Sequence, residues 1–274
     1  MFGRWRRHWL LRQEAAALRR RAIADDLWKR TRVRYPFLQR RDPATDAELR
    51  RLTSLFLDRK EFSAVGGLAL TDAMAVAIAA QAVLPVLRLG LAAYDGFVGI
   101  VIHPDQVVAR REVADEDGIV HEYDEVLAGE AMEGGPVMLS WHDVRAAGRT
   151  EGTAYNVVIH EFAHVLDLTN GEADGMPLLP PGLAAVDWRA TLGEALARLR
   201  QAVAADAATV IDPYGAEGEE EFFAVASEAF FVSPAALRQD SPALYALLVR
   251  YYRQDPAEEM AQPPSRPVRH HRGT

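Results

Sequence analysis

The chain has 274 residues, 49% of them hydrophobic and none of them cysteine: enough apolar mass for one large packed domain or two small ones. Without cysteine there is no disulfide framework and no thiolate metal site, so any metal must be held by His, Asp or Glu. The net charge of −8 hides an asymmetry, because residues 1–41 carry thirteen Arg or Lys against three acids, about +10, leaving about −18 for the rest; a basic arm on an acidic body is a poor match for direct nucleic-acid binding.

The start, "MFGRWRRHWLLRQEAAALRRR", has only short apolar runs, Trp9-Leu10-Leu11 and Ala15-Ala16-Ala17-Leu18, and does not read as a secretory signal. It is expected to be a basic surface helix packing Trp5 and Trp9 on the body; an amphipathic helix lying on an anionic membrane is the less favoured reading. Two further basic helices are expected in "ALRRRAIADDLWKR" and "DAELRRLTSLFLDRKEF". The apolar run "AVGGLALTDAMAVAIAAQAVLPVLRLGL" contains Asp72, Gln81, Arg88 and Pro85, so it predicts a buried helix capped at Thr71-Asp72 and ending near Pro85. A membrane span is the weaker alternative there, and the protein is expected in the cytosol.

The pattern then changes. "GFVGIVIHP", "GIVHEYDEVLAGEA" and "GPVMLSW" are short β-rich runs bounded by Gly, Pro and acids, and they predict a small sheet. From Tyr155 onward the chain reads as mostly helical. The expected organisation is a basic N-terminal helical arm over 1–49, a mostly helical α+β domain with a small mixed sheet over 50–256, and a disordered Pro- and Arg-rich tail over 257–274.

The chemistry is concentrated in "NVVIHEFAHVLD", Asn156–Asp167. On a helix, residues four apart share a face, so His160 and His164 can aim both imidazoles at one point, the bite needed for a zinc ion. Glu161 is one step round and can reach a water on that metal, which makes it the general base of the H-E-x-x-H pattern. The apolar flanks favour a metal site over a structural cluster, since buried His and Glu without a partner are costly. Asp167 reads either as an acceptor for an imidazole N–H or as a surface carboxylate at the helix end. The long metzincin motif is absent, with Asp167 and Asn170 where it needs Gly and His or Asp. The third ligand is therefore sought in "EGEEEFFAVASEAFF", where Glu221 and Glu228 lie on one helical face and both remain candidates; a glutamate presented from a second helix is the gluzincin arrangement.

"GGPVMLSWHDV", "NVVIHEFAHVLDLTNGEADGMP" and "DPYG…EEFFAVASEAFF", in that order, resemble the Mlc titration factor A family of bacterial zinc peptidases. The likeness covers roughly 50–252, with a more distant similarity to the catalytic domain of anthrax lethal factor. The resemblance implies a zincin-like domain with one Zn2+ per chain, held by the two histidines and a downstream glutamate with a tyrosine seven residues before it. Tyr214 stands seven before Glu221, which selects Glu221 as the ligand, makes Tyr214 an oxyanion donor and leaves Glu228 to support a histidine. Taken without the resemblance, "DPYG" reads as a turn. In zincins the substrate lies antiparallel along an edge strand above the metal; "PVMLSW" is expected to be that strand, or else a core strand. "TNGEADGMP" is expected at the rim or as a lid.

Two functions follow as expectations. One is a zinc peptidase of aminopeptidase type acting on peptide or protein substrates. The other, also implied by the resemblance, is an interaction protein that sequesters a transcriptional repressor.

Overall fold

The structure, a computed structural model, describes residues 2–39, 42–114, 120–127, 129–131, 134–147 and 154–261. Three helices come first: α1 (Phe2–Arg20), α2 (Asp25–Arg34) and α3 (Pro43–Arg59). Asp42 caps α3 by accepting from the Ala44 and Thr45 amides, with Pro43 in the first turn, where its missing N–H costs nothing. Strand β1 (Glu61–Ala64) leads to α4 (Asp72–Val83), which Thr71 caps through the Met74 amide and which stops short of Pro85 as expected.

The next strands are β2 (Gly99–His103), β3 (Val107–Ala114), β4 (Val120–Leu127), β5 (Gly129–Ala131) and β6 (Val137–Ser140). Strands β3 and β4 form an antiparallel hairpin of their own. The others make one mixed sheet in the order β1-β2-β6-β5, parallel across β1, β2 and β6 and antiparallel between β6 and β5. Helices complete the chain: α5 (Trp141–Ala146), α6 (Val157–Asp167), α7 (Ala185–Ala204), α8 (Glu219–Val232), α9 (Pro234–Asp240), α10 (Pro242–Tyr252) and α11 (Pro256–Ala261). The protein is thus a mostly helical α+β fold with a small mixed sheet.

Two expectations change. "PVMLSW" contains β6, which is bonded to β2 on one side and β5 on the other, so it is not an edge; β5 ends the sheet. Its short apolar run, Val137-Met138-Leu139, reads the same whether one flank or both are paired, and only the partner strands decide. Trp9 does not pack on the body: it is 58% exposed, beside exposed Leu10 and Leu11. Of the expected tail, Pro256–Ala261 forms α11, and residues 262–274 lie outside the described residues. Among the described residues, no helix is long and apolar enough to cross a membrane.

The core explains why α6 and α8 lie where they do. Residues 222–231 of α8 are all buried, and α6 buries Val157, Val158, Ile159, Phe162, Ala163 and Leu166. A helix that is apolar nearly all round has to run through the middle of the molecule. Phe162 packs edge-on to Tyr94, Phe97 and Phe56, with ring centroids 5.0–5.7 Å away, which ties α6 to the chain beneath the sheet. On the far side, Trp188 of α7 meets Phe223 of α8 and Tyr251 of α10.

Candidate metal centre

Helix α6 starts at Asn156, whose side-chain oxygen accepts from the Ile159 amide at 3.0 Å. This cap fixes the first turn, and the next turns present His160 and His164 side by side, their Nε2 atoms 3.1 Å apart. Helix α8 packs against α6 and brings Glu221 between them: its Oε2 lies 3.1 Å from His160 Nε2 and 3.4 Å from His164 Nε2. His160, His164 and Glu221 are the one group found, among the described residues, of three or more acids or histidines that could hold a metal ion.

The fit to a metal can be tested on these atoms. Three ligands bonded at about 2.0–2.1 Å to a tetrahedral ion stand about 3.3 Å from one another, close to the spacings found. Glu221 Oε2 is buried and receives no hydrogen bond. His160 Nδ1 faces Glu228 Oε1 at 2.9 Å, so its proton is held there and the Nε2 lone pair is left to point at the cluster. Lone pairs converging on one point in a partly buried pocket are a donor set for a cation, and these residues fit one.

Charge gathers at the same point. Burial opposes a positive charge on His160, but Glu221 and Glu228 outweigh it and lift its pKa well above the ordinary histidine value. Burial works against ionising Glu221 too, yet the two adjacent imidazoles hold its carboxyl down to about 2. Glu161 is buried, and burial pushes its carboxyl up to about 7 against the pull of both histidines.

Glu161 faces the edge strand. A Cβ on Gly129 of β5 would sit 2.5 Å from Glu161 Oε1, so only glycine leaves room for the carboxylate. Tyr214 lies on the 3-10 turn Pro213–Ala216, started by Asp212 accepting from the Tyr214 amide. Gly215 lets that turn close on α8, since a Cβ there would meet Val225 at 2.5 Å. Tyr214 is thereby placed over the cluster, its ring centroid 6.1 Å from that of His160, and it is 40% exposed. All five residues singled out in the sequence, His160, Glu161, His164, Tyr214 and Glu221, thus meet around one point or border it.

Of the two readings of Asp167, the surface one fails: it is fully buried. Its Oδ2 accepts from the Gly175 amide at 2.9 Å, and Oδ1 has no hydrogen-bond partner, so the acceptor role toward an imidazole is not what it performs. The loop expected at the rim is pinned through that same glycine, whose carbonyl accepts from Trp188 Nε1.

Glu228 supports His160 as the resemblance implied, but sequence reasoning missed what lies behind it. The other Glu228 oxygen accepts from the Asn156 amide, and Asn156 Nδ2 donates to Gln81 Oε1 at 2.9 Å. Gln81, a lone amide inside an apolar helix, was the signal for it; Asn156 advertised only a cap. Gly129 carried no signal, because its role depends on a neighbour in another element.

The model of the family described as glucose-regulated metallo-peptidase M90 matches residues 4–253, nearly the whole chain. The chain belongs to this family. Among M90 relatives, the Mlc titration factor A of Pectobacterium atrosepticum is 38% identical over 221 residues, covering 78% of this chain and 82% of that protein. That of Klebsiella pneumoniae strain 342 is 35% identical, covering 83% and 86%, and that of Salmonella arizonae is 34% identical, covering 86% and 94%. Family membership makes the chain a metallopeptidase-like protein, and the His-His-Glu cluster is compatible with a metal ion.

Proposed function

We propose that the chain is a zinc-dependent peptidase, with His160, His164 and Glu221 holding one Zn2+, Glu161 as general base and Tyr214 as oxyanion donor. The observation that carries this reading is the convergence of the two Nε2 atoms and Glu221 Oε2 within 3.4 Å, with Glu161 beside them. Two imidazoles and a carboxylate form the three-ligand set of catalytic zinc, which keeps a fourth position for water or substrate. When bound, the ion would supply a Lewis acid that lowers the pKa of a water and polarises the scissile carbonyl.

The protein's own groups do the rest. Glu161 takes the proton of the attacking water and delivers it to the leaving amine. Tyr214 donates its phenol hydrogen to the carbonyl oxygen as negative charge gathers there. Glu228 keeps the His160 proton on Nδ1. The edge of β5, which pairs with β6 alone among the described residues, accepts the substrate backbone as an added antiparallel strand, with Gly129 bringing it close to Glu161. An aminopeptidase-like action in the cytosol belongs to the same proposal.

The test is cleavage of a peptide and aminoacyl-anilide panel by zinc-loaded protein and by its Glu161→Gln variant. Turnover lost in a variant that keeps its zinc supports the reading, and the cleaved ends separate aminopeptidase from endopeptidase; equal turnover in both removes Glu161 from its role.

The relatives' name carries a second reading, titration of a regulator. On that reading this chain binds a repressor protein, and a complex that survives Glu161→Gln in a pull-down would support it.

A further inference from the structure

A cavity of about 510 Å3 lies along the end of α6 beyond His164, lined by Ala93, Phe97, Gly134, Val165, Leu168 and Leu178 among others. We propose that it receives an apolar side chain of the peptide substrate on the amino side of the scissile bond. The inference rests on the peptidase reading above and adds a substrate preference to it.

Three observations place the cavity. It lies on the stripe of α6 that carries Glu161, for Val165 and Leu168 follow that residue by four and seven positions. At 1.5 Å of rise per residue they stand roughly 6–10 Å along the axis from Glu161, within two residues of extended peptide. Strand β5 joins the two places: it begins at Gly129, against Glu161, and the chain returns to β6 through Gly134, on the cavity wall.

Direction follows from the sheet. A peptide added to the free edge of β5 pairs more stably when antiparallel. It therefore enters at the Gly134 end and leaves at the Gly129 end. Its residues before the scissile bond pass over the cavity, and those after it lie beyond Glu161.

The lining decides what is accepted. Among the described residues, none in the lining is charged, and the one side chain there with a polar atom, Thr169, has its hydroxyl engaged with the Leu166 carbonyl and the Leu178 amide. A carboxylate or ammonium entering there would lose water without gaining a partner. The size falls in the ~300–1,000 Å3 range of small-ligand pockets, ample for a leucine or phenylalanine side chain.

Alanine peptides carrying a single Leu, Phe or Asp, each made with a free and with a capped amino terminus, test this on the full-length, zinc-loaded Glu161→Gln protein, with affinity read by calorimetry. Wild-type cleavage products give the register. Leu and Phe are expected to bind roughly tenfold tighter than the all-alanine peptide, Asp no tighter, and cleavage to fall within two residues after the Leu or Phe. Ala93→Phe, which puts a ring into the cavity where the substrate side chain would sit, should narrow the Leu/Ala ratio to about twofold or less. No apolar preference, an undiminished preference in folded Ala93→Phe, or cleavage only before the Leu or Phe overturns the inference. If Ala93→Phe does not fold, the peptide series and the register still decide. Wild-type protein that cleaves nothing while binding keeps its preference sinks the peptidase reading and leaves an apolar side-chain site; cleavage without preference sinks the cavity alone.

Discussion

Gly129 shows how much one absent methyl group can carry. Its backbone approaches Glu161 so closely that a Cβ would lie 2.5–2.7 Å from three atoms of that side chain. Gly129→Ala is expected to swing the carboxylate away and cut turnover by about 10²-fold, with zinc content unchanged by metal analysis; zinc lost along with activity would instead mean that the strand holds the ligands. Asp167 makes a different prediction. Burial lifts its carboxyl to about 6 from an ordinary 3.8. A raised carboxyl contributes stability that is full below about pH 4 and is lost as pH rises through about 6. Asp167→Asn, which keeps an acceptor for the Gly175 amide, should therefore gain on the wild type across that window, by roughly 1–2 kcal/mol at pH 7. Urea titrations at pH 4 and pH 7 measure the gap, and a gap that does not widen refutes the assignment.

Helix α6 is where local and non-local demands meet. Its histidine pair needs nothing beyond one helical turn, which is why it was legible from spacing alone. Its start depends on Asn156, which caps the helix through Oδ1 and ties it to Gln81 of α4 through Nδ2. Asn156→Ala removes the cap and leaves the buried Gln81 oxygen without a donor, so it should cost about 2–4 kcal/mol by urea denaturation. A loss below about 0.5 kcal/mol would show that water or backbone takes over both roles. The third corner, Glu221, could be narrowed by spacing only to a choice with Glu228. Both are on α8, seven residues apart, and the packing of α8 on α6 separates them: Glu221 reaches the Nε2 side of His160 and Glu228 its Nδ1 side.

For the whole molecule, the cluster joins α6 to α8 across the core, so a metal bound there binds the native state alone. Such binding stabilises by about 4 kcal/mol when the free metal is 1,000 times its dissociation constant. Zinc is expected to raise the melting temperature of chelator-stripped protein by several degrees. Glu221→Ala should abolish most of that shift, whereas Glu161→Gln should leave it. Equal shifts in all three proteins would place the metal elsewhere. The basic start of the chain also belongs at this scale. Helix α1 packs on α3 and buries Ala17, while Arg20 pairs with Asp58 of α3 at 2.8 Å. Trp9, Leu10 and Leu11 stay exposed, because a run of arginines predicts a surface helix but not which face turns inward.

Composition without cysteine, the 3.6-residue repeat of α6 and α8, and the cap at Thr71 were enough to establish a helical α+β protein with a histidine pair on one helical face. These are local properties, set by the geometry of one turn or by the chemistry available to it. Assembly of the strands made β5 rather than β6 the edge and set Gly129 against Glu161. The packing of α8 on α6 gave Glu221 and Glu228 their different partners. Such contacts join residues tens of positions apart, and their distances follow from how whole helices and strands fill the core.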